Sequence, residues 1–463
     1  MKLKSTLVLL LLVQFAFGQN RIQKIDSLLN SLYSAETFNG NVLIAEKGEI
    51  IYQHSFGNSN EMTKEKLNEN SIFELASCSK QFTAMAIMIL KEKGKLKLDD
   101  PITKYIPELE IYKNVSIRNL LNHTGGLPEY FELIDRVLNK SKIATNKDII
   151  TIFAKYQPKV LFKPNSKFEY SNTGYALLAS IIEKISGLTY ADYLAENIFN
   201  PLKMSNTFVY SRRLAPRNIK NYAFGYVYSD SLKKYVLPDE TEKYKGVIWT
   251  DGIVGDACVN STVIDLLKWD RSLYTDKLIS KEGMKEVYEA ATLTDGSKTN
   301  YGFGWFLDAE YAEFGKIIYH GGEWPGYATF IVRNVSNDQT IIILQNHSSV
   351  VSPLKPLINI FYNKLLPVQK VRKEIKLTTE QLQKLVGTYE IKEGVELKIS
   401  LANEQLFVQL TGQSPFPLFA ESELFFFIKV PDAQIQFVKN DNGDITHLFL
   451  IQGKNKTEAK RKK

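Results

Sequence analysis

The stretch from Ser77 to Glu92 constrains the fold more than any other part of the sequence. Its apolar residues, Phe82 and residues 85–90, occupy nearly every side of a helix, and Gly94 then ends the run. A helix that is apolar around most of its circumference is buried inside a protein. The sequence therefore predicts a buried helix that begins at about Ser77.

Strand-like sequence lies on both sides of a largely helical region. The segments 40–45 and 49–56 flank the turn 46–48 and are typical of a β-hairpin. Further strand-like segments cover residues 302–307, 316–320, 327–332 and 340–345, and helical spacing marks residues 22–32 and 354–366. This order predicts an α/β fold, with one sheet assembled from distant segments, helices on its faces and a separate helical lobe.

A second domain is expected at the C-terminal end, because 463 residues are ample for two domains. Residues 367–376 are a charged segment that begins with proline, which is typical of a linker. Alternating strand-like segments follow at 395–400, 405–410, 424–430, 434–438 and 445–451. We predict a first domain over 19–366, a small antiparallel β domain over 377–453 and a solvated basic tail over 454–463.

The first eighteen residues have the pattern of a signal peptide. Lys2 and Lys4 precede a mostly apolar segment, residues 7–17, and Ala16 and Gly18 supply small residues at the cleavage positions. Eleven helical residues span only about 16 Å, whereas the hydrocarbon core of a bilayer is about 30 Å thick. The sequence predicts an exported protein, periplasmic or secreted, without stable membrane insertion after the leader is removed.

The distribution of charge argues against a nucleic-acid partner. The net charge is +7, but Lys2 and Lys4 contribute two of these charges and residues 454–463 contribute five. The body of the chain is therefore neutral and lacks the basic face that nucleic-acid binding requires. The two cysteines, Cys78 and Cys258, are expected to be buried thiols, with a single bridge as the alternative.

Several classes of chemistry have no matching motif. No His-Glu-x-x-His or Cys-x-x-Cys occurs and the five histidines are isolated, so a metal cluster of ordinary spacing is not expected. The glycine-rich nucleotide loops and the Gly-x-Ser-x-Gly elbow are also missing from the sequence. No metal and no organic cofactor is therefore predicted.

Ser-x-x-Lys pairs offer a different chemistry, and only their context separates them. Three pairs occur, Ser77/Lys80, Ser231/Lys234 and Ser352/Lys355, which is about the number expected by chance. Only the first opens the long apolar helix. Residues three apart share a helix face, so Lys80 can reach the hydroxyl of Ser77.

A serine becomes a useful nucleophile only when a base removes its proton. A lysine can act as that base, because burial in an apolar helix lowers the pKa of an amine. The N-terminus of a helix also places positive potential beside the oxyanion that forms on attack. The alternative for Ser77 and Lys80 is a helix-capping serine followed by a lysine that extends to solvent.

Two further motifs can complete such a site. Tyr170-Ser171-Asn172 offers a phenol to relay a proton and an amide to orient a lysine and a substrate carbonyl, although a turn tyrosine would look the same. His320-Gly321-Gly322 follows a strand, where paired glycines let a substrate lie against bare backbone. The alternative there is a tight β-turn.

Three segments, taken in order, resemble the three motifs of the serine β-lactamase and penicillin-binding protein superfamily. They are Ser77-Cys78-Ser79-Lys80, Tyr170-Ser171-Asn172 and His320-Gly321-Gly322. The similarity is greatest to its class C β-lactamase-like branch and covers about residues 20–366. Supporting segments are 38–45, 94–101, 120–128, 265–270 and 326–327. The segment 385–389 resembles the start of a small β domain that is often appended to such hydrolases. The resemblance implies an antiparallel sheet flanked by helices.

The resemblance also implies a role for each residue of an acyl-enzyme mechanism. Ser77 would attack a carbonyl, Lys80 would act as base and Tyr170 would relay the proton to the leaving group. Asn172 would bind Lys80 and the substrate amide, and the backbone N–H groups of Ser77 and Glu323 would form the oxyanion hole. Water would then release the acid. His123 would lie near this site and shape a loop.

The third motif departs from the Lys-Thr-Gly of β-lactamases, whose cation and hydroxyl receive a substrate carboxylate. His320 is mostly neutral at pH 7 and Gly321 has no hydroxyl, while Glu323 adds a negative charge. We therefore predict slow or absent β-lactam turnover, with esterase or peptidase activity on small molecules or cell-wall peptides. The alternative is a non-catalytic module that binds peptidoglycan or peptides. The oligomeric state stays open.

Overall fold

The computed structural model describes residues 20–229, 231–308, 310–347, 352–362, 374–392, 394–402, 404–411, 415–428, 433–452 and 455–462. It divides into two compact units, Met1–Lys364 and Leu365–Lys463. The predicted leader, residues 1–18, lies outside the described residues, as does most of the predicted linker.

The strands of the first unit include a group near each of its ends in sequence and several short strands between them. They are β1 Gly40–Glu46, β2 Glu49–Phe56, β3 Phe73–Glu74, β4 Phe208–Val209, β5 Val227–Ser229, β6 Lys234–Val236, β7 Val259–Ser261, β8 Phe306–Asp308, β9 Ile317–Trp324, β10 Tyr327–Asn334 and β11 Gln339–Gln345. Six of them form an antiparallel sheet in the order β2-β1-β11-β10-β9-β8. The pairing of β1 with β11 joins the two ends of the unit, as the sequence predicts.

The other regular elements of the first unit are mainly helices. They are α1 (residues 20–34), α2 Lys80–Glu92, α3 Ile117–Leu121, α4 Tyr130–Val137, α5 Asn146–Tyr156, α6 Asn172–Ser186, α7 Tyr190–Leu194, α8 Gly246–Trp249, α9 Val263–Ser272, α10 Lys281–Val287 and α11 Leu354–Phe361. Short 3-10 turns precede or link several of them, including Ala76–Ser79 directly before α2. Among the described helices, none is long and apolar enough to span a bilayer.

The sheet separates two hydrophobic layers because alternate strand residues face opposite sides. Val42 and Ile44 of β1 pack with residues of α1 and α11, such as Leu29 and Leu357. Leu43, on the opposite face, belongs to the larger core that contains α2, α6 and α9. Every residue of α2 from Lys80 to Leu90 is buried, which confirms the predicted buried helix.

The second unit is a closed antiparallel barrel. A short helix, α12 Thr379–Gln383, precedes its eight strands, which are β12 Gly387–Lys392, β13 Val395–Ala402, β14 Gln405–Leu410, β15 Phe416–Ala420, β16 Phe425–Ile428, β17 Ala433–Lys439, β18 Ile445–Gln452 and β19 Asn455–Arg461. Alternate strand residues fill the interior, including the fully buried Tyr389 and Leu448. The prediction of a small antiparallel β domain at the C-terminal end is confirmed.

The prediction of a solvated tail over 454–463 is wrong for β19. This strand pairs with β18 along its length and with β12 at Tyr389↔Arg461, which closes the barrel. Ala459 is fully buried while its charged neighbours Glu458 and Lys460 are exposed. A closing strand needs only its backbone bonds and one inward face, so a charged sequence can form it.

Candidate active site

The predicted nucleophile lies on a tightly held turn at the head of the buried helix. Ser77 belongs to the 3-10 turn Ala76–Ser79, and Ala76 has a φ of 48°, in the left-handed region. The preceding Leu75 donates its N–H to the carbonyl of Val259 (2.8 Å), and its own carbonyl accepts from Thr329 Oγ1 (2.7 Å). Strained backbone persists only where the surroundings enforce it, and here strand contacts on both sides do so.

Lys80, at the start of α2, is fully buried and uses all three of its donors. Its Nζ donates to Ser77 Oγ (3.1 Å), to Asn172 Oδ1 (2.8 Å) and to the backbone carbonyl of Asp256 (2.9 Å). An ammonium group has three N–H donors and no acceptor, so this set satisfies it completely. The structure therefore brings together the serine, the lysine and the asparagine of two separate motifs.

Asn172 is placed by the start of α6 and by a carboxylate that the sequence analysis missed. Ser171 caps the helix, and both the backbone N–H and the Nδ2 of Asn172 donate to Glu129 (2.7 and 3.1 Å). The side-chain amide therefore spans Lys80 and Glu129. A contact between Asn172 and a substrate amide stays a prediction.

Tyr170 lies against the lysine through the face of its ring. The ring centroid is 5.0 Å from Lys80 Nζ, and the buried hydroxyl has no hydrogen-bond partner among the described residues. The ring packs on His123, with 4.3 Å between the centroids, and on Tyr301. The structure thus brings Tyr170 to Lys80, whereas its role as a proton relay stays a prediction.

His123 fixes the backbone beside Tyr170 rather than reaching a substrate. It is buried, and its Nδ1 accepts the N–H of Ser171 (3.1 Å). Burial, reinforced by the charge of Lys80, holds the pKa of His123 well below its usual range. The residue is a neutral acceptor, in keeping with the predicted role in shaping a loop.

His320 is also buried and neutral. Its Nδ1 lies 2.6 Å from the carbonyl of Gly321 and its Nε2 lies 2.9 Å from the hydroxyl of Tyr301. A carbonyl can only accept, so Nδ1 carries the proton and Nε2 accepts from the tyrosine. Burial, with a contribution from Lys80, lowers the pKa of His320 to about 3. The residue therefore presents no cation at physiological pH.

The two glycines that follow His320 allow neighbouring groups to pack closely against the strand. A Cβ on Gly322 would lie 2.2 Å from the carbonyl oxygen of Leu75 and 2.5 Å from Thr329 Oγ1. A Cβ on Gly321 would lie 3.0 Å from the ring of Phe330. The turn that carries Ser77 therefore fills the side-chain direction of Gly322, and a contact between a substrate and this backbone stays a prediction.

Replacing Gly322 by alanine should displace the turn of the nucleophile. We expect Gly322→Ala to destabilise the fold by about 1–3 kcal/mol, since a Cβ at 2.2 Å must move backbone, and to reduce hydrolysis about tenfold or more. Thermal unfolding and steady-state kinetics measure both effects. Gly246→Ala is the matched control, because nothing lies within 4 Å of its Cβ. Full activity in Gly322→Ala would show that the close packing does not position Ser77.

A cavity of about 140 Å³ opens beside Ser77. Its walls are formed by Glu74, Ala76, Ser77, Tyr130, Phe131, Asn172, Thr250, Asp251, Ile253, Asp256, Ala257, Cys258, Glu323 and Trp324. Ser77 and Glu323, the predicted oxyanion-hole residues, thus share one cavity. Sequence reasoning missed the acids Glu74, Asp251 and Asp256. Asp251 and Asp256 lie in the turn-rich segment 250–258, which is the nearest sequence signal for them.

Glu74 is buried beside other acids, and this changes its titration. Burial raises the pKa of Glu74 to about 8, and the charge of Asp251 adds to the effect. The guanidinium groups of Arg213 and Arg212 oppose the increase, while Asp256 reinforces it. The carboxyl group therefore holds its proton at neutral pH in the folded chain.

We expect Glu74→Gln to stabilise the fold increasingly as the pH rises. Below about pH 4.5 the carboxyl is protonated in both states, but between about pH 4.5 and 8 only the unfolded chain releases the proton. The contribution of Glu74 to stability therefore falls over that window, and glutamine does not share the loss. Urea unfolding at about pH 5 and about pH 8 should show a gain that grows by a few kcal/mol. Glu282→Gln, which changes an exposed acid on α10, is the control. A gain in stability of Glu74→Gln that does not depend on pH would contradict the prediction.

Both cysteines are buried and free, as expected from the sequence. Cys78 Sγ donates to the carbonyl of His320 (3.2 Å), and burial raises the pKa of Cys78 to about 12. Such a thiol is not a thiolate at neutral pH and cannot compete with Ser77 as nucleophile.

The antiparallel sheet with its helical layers, and a serine, lysine and asparagine joined by hydrogen bonds, define a serine hydrolase fold. The family of beta-lactamases matches residues 33–356, and a domain of unknown function, DUF3471, matches residues 371–461. The chain belongs to the serine β-lactamase and penicillin-binding protein superfamily.

Individual relatives agree with this assignment. Penicillin-binding protein 4* of Bacillus subtilis is 38% identical over 452 residues, which is 96% of this chain and all of that protein. An octameric penicillin-binding protein homologue from Pyrococcus abyssi has a TM-score of 0.66 at 24% identity, covering 95% of this chain and all of its own. D-amino acid amidase from Ochrobactrum anthropi, solved with L-phenylalanine amide, has a TM-score of 0.59 at 25% identity and covers 75% of this chain and 99% of its own.

Proposed function

We propose that this protein is an exported serine hydrolase that cleaves ester, amide or peptide bonds through an acyl-enzyme on Ser77. The observation that carries the proposal is the bonding of Lys80, whose Nζ joins the Ser77 hydroxyl, Asn172 Oδ1 and the carbonyl of Asp256. In its unprotonated form, a lysine held in this way is directed as a base at one hydroxyl.

The geometry supports a simple proton path. As a free amine, Lys80 keeps two N–H donors for Asn172 and Asp256 and turns its lone pair to the hydroxyl of Ser77. It then takes the serine proton as Ser77 Oγ attacks the substrate carbonyl, and the tetrahedral oxyanion forms in the cavity beside Glu323.

Release of the leaving group needs a proton, and Tyr170 is proposed to carry it from Lys80. The buried hydroxyl of Tyr170 has no other partner among the described residues, so it is free to enter this path. Water then attacks the acyl-enzyme, with Tyr170 as the proposed base, and Ser77 is regenerated with the acid as product.

The charges around the site disfavour an anionic substrate. His320 is neutral and buried, and the exposed Glu323 lines the cavity, so the segment 320–323 offers no cation to hold a β-lactam carboxylate. The amide bond cleaved by a D-amino acid amidase is the class of bond that we propose here, and β-lactam turnover is proposed to be slow or absent.

A substrate panel tests this proposal. We expect the purified chain to hydrolyse p-nitrophenyl esters and D-amino-acid amides or peptides, and to turn over a chromogenic cephalosporin slowly or not at all. Efficient cephalosporin hydrolysis would overturn the substrate assignment. Binding of peptides without any turnover would favour a non-catalytic module on the same fold.

Export is proposed from residues 1–18, whose basic start, apolar segment and small residues have the pattern of a secretory leader. Expression in a bacterial host should give protein outside the cytoplasm whose first residue is Gln19. Full-length protein that stays in the cytoplasm would contradict this.

A further inference from the structure

The cavity beside Ser77 is lined by more acidic side chains than its neighbours pair with cations. Four of its wall residues are acids, namely Glu74, Asp251, Asp256 and Glu323. Asp251 is neutralised by Arg213, whose Nη1 lies 2.8 Å from its Oδ1. The other three acids form no ion pair within the described part of the chain.

Two of these acids are almost fully buried in the cavity wall and have carboxyl oxygens without a hydrogen-bond partner among the described residues. Glu74 is 8% exposed and makes no side-chain hydrogen bond to any described residue. Asp256 is 3% exposed, and although its Oδ2 accepts from Tyr130 (2.9 Å), its Oδ1 has no partner among the described residues. Buried carboxyl oxygens without partners are costly, so their placement at a nucleophile calls for a ligand.

The nearest cation does not fill this role. Lys80 already donates its three N–H groups to Ser77, Asn172 and the backbone of Asp256, so it has none left for the carboxyl groups. Within the described residues no group of three or more acids, histidines or cysteines could hold a metal ion. The cation that suits the cavity is therefore an organic one that arrives with the substrate.

We propose that this cavity is an acidic subsite that binds a primary ammonium group on the acyl part of the substrate, through Glu74 and Asp256. This deepens the proposed function, on which it rests, by naming its substrate class as aminoacyl amides, esters or peptides with a free amino group. An ammonium has three donors, and Glu74 and Asp256 Oδ1 supply unused acceptors. Phe131 and Trp324 form an aromatic wall of the same cavity, which suits the apolar part of such a substrate.

Calorimetric binding to the full chain carrying Ser77→Ala tests the subsite without any turnover. The probes are D-alaninamide and L-alaninamide, which carry the ammonium group, and isobutyramide, in which a methyl group replaces it. We expect at least one alaninamide to bind about tenfold or more tightly than isobutyramide at pH 7. Equal affinity for the three probes, or tighter binding of the neutral one, would overturn the subsite.

Replacing the two carboxyl groups by amides then assigns the preference to these two acids. In the Ser77→Ala background, Glu74→Gln and Asp256→Asn should each reduce the ratio of the affinity for the alaninamide to that for isobutyramide. With both substitutions the two affinities should be about equal. Glu282→Gln, on the exposed face of α10, is the matched control and should leave this ratio unchanged. A preference that survives in the folded double variant would also overturn the assignment.

The two proposals fail in different ways. Covalent labelling of Ser77 in the unmodified chain with equal binding of all three probes would leave the hydrolase standing and remove the subsite. Selective binding of the ammonium probes without any labelling of Ser77 would remove the hydrolase and leave a binding cavity.

Discussion

Ser77→Ala is expected to reduce the hydrolysis of any substrate by at least about 10³-fold. The change removes the only hydroxyl to which Lys80 Nζ donates, at 3.1 Å, and leaves the cavity and its other polar groups in place. Ser77 is only partly buried and the substitution is small, so the fold should be retained. Steady-state kinetics together with thermal unfolding measure the two effects.

The chain supplies its own control for this experiment. Ser231 has the same Ser-x-x-Lys spacing to Lys234, but both residues are exposed on the surface. Ser231→Ala should therefore keep full activity. If Ser77→Ala were active at the rate of the unmodified chain, the nucleophile would be assigned to the wrong residue.

Lys80→Met should cause a similar loss, about 10²- to 10⁴-fold in kcat. Methionine has nearly the shape of lysine but cannot accept a proton, and nothing else in the described part of the chain donates to or accepts from Ser77 Oγ. The loss should appear in kcat rather than in KM, because the lysine acts on the serine and not on the substrate.

The variant will also leave the oxygens of Asn172 and Asp256 without their buried donor, so its stability has to be measured beside its rate. Lys234→Met, in the exposed pair, is the matched control. A folded Lys80→Met protein that keeps its kcat would show that another group deprotonates Ser77.

Local patterns predicted those parts of the site that lie on regular elements. The apolar helix identified Ser77 and Lys80, and the Tyr-x-Asn and His-Gly-Gly segments identified Tyr170, Asn172 and His320, all of which the structure places around Lys80 or its neighbours. The strands that frame them were predicted from alternation, which depends only on neighbouring residues.

The acids in the cavity wall, and the acid bonded to Asn172, could not be predicted in this way. Glu74, Glu129 and Asp256 come from a two-residue strand, a loop and a turn, and each gains its role from contacts with segments distant in the sequence. The close packing of Gly322 was missed for the same reason, because only the folded chain shows that the carbonyl of Leu75 occupies the space beside it.

Covalent labelling of the intact protein with a fluorophosphonate, followed by mass spectrometry of its peptides, tests the central claim most directly. The account predicts one adduct on the peptide that contains Ser77, lost in Ser77→Ala and formed far more slowly in Lys80→Met. Absence of an adduct in the unmodified, folded protein, or an adduct on another serine such as Ser231, would contradict it.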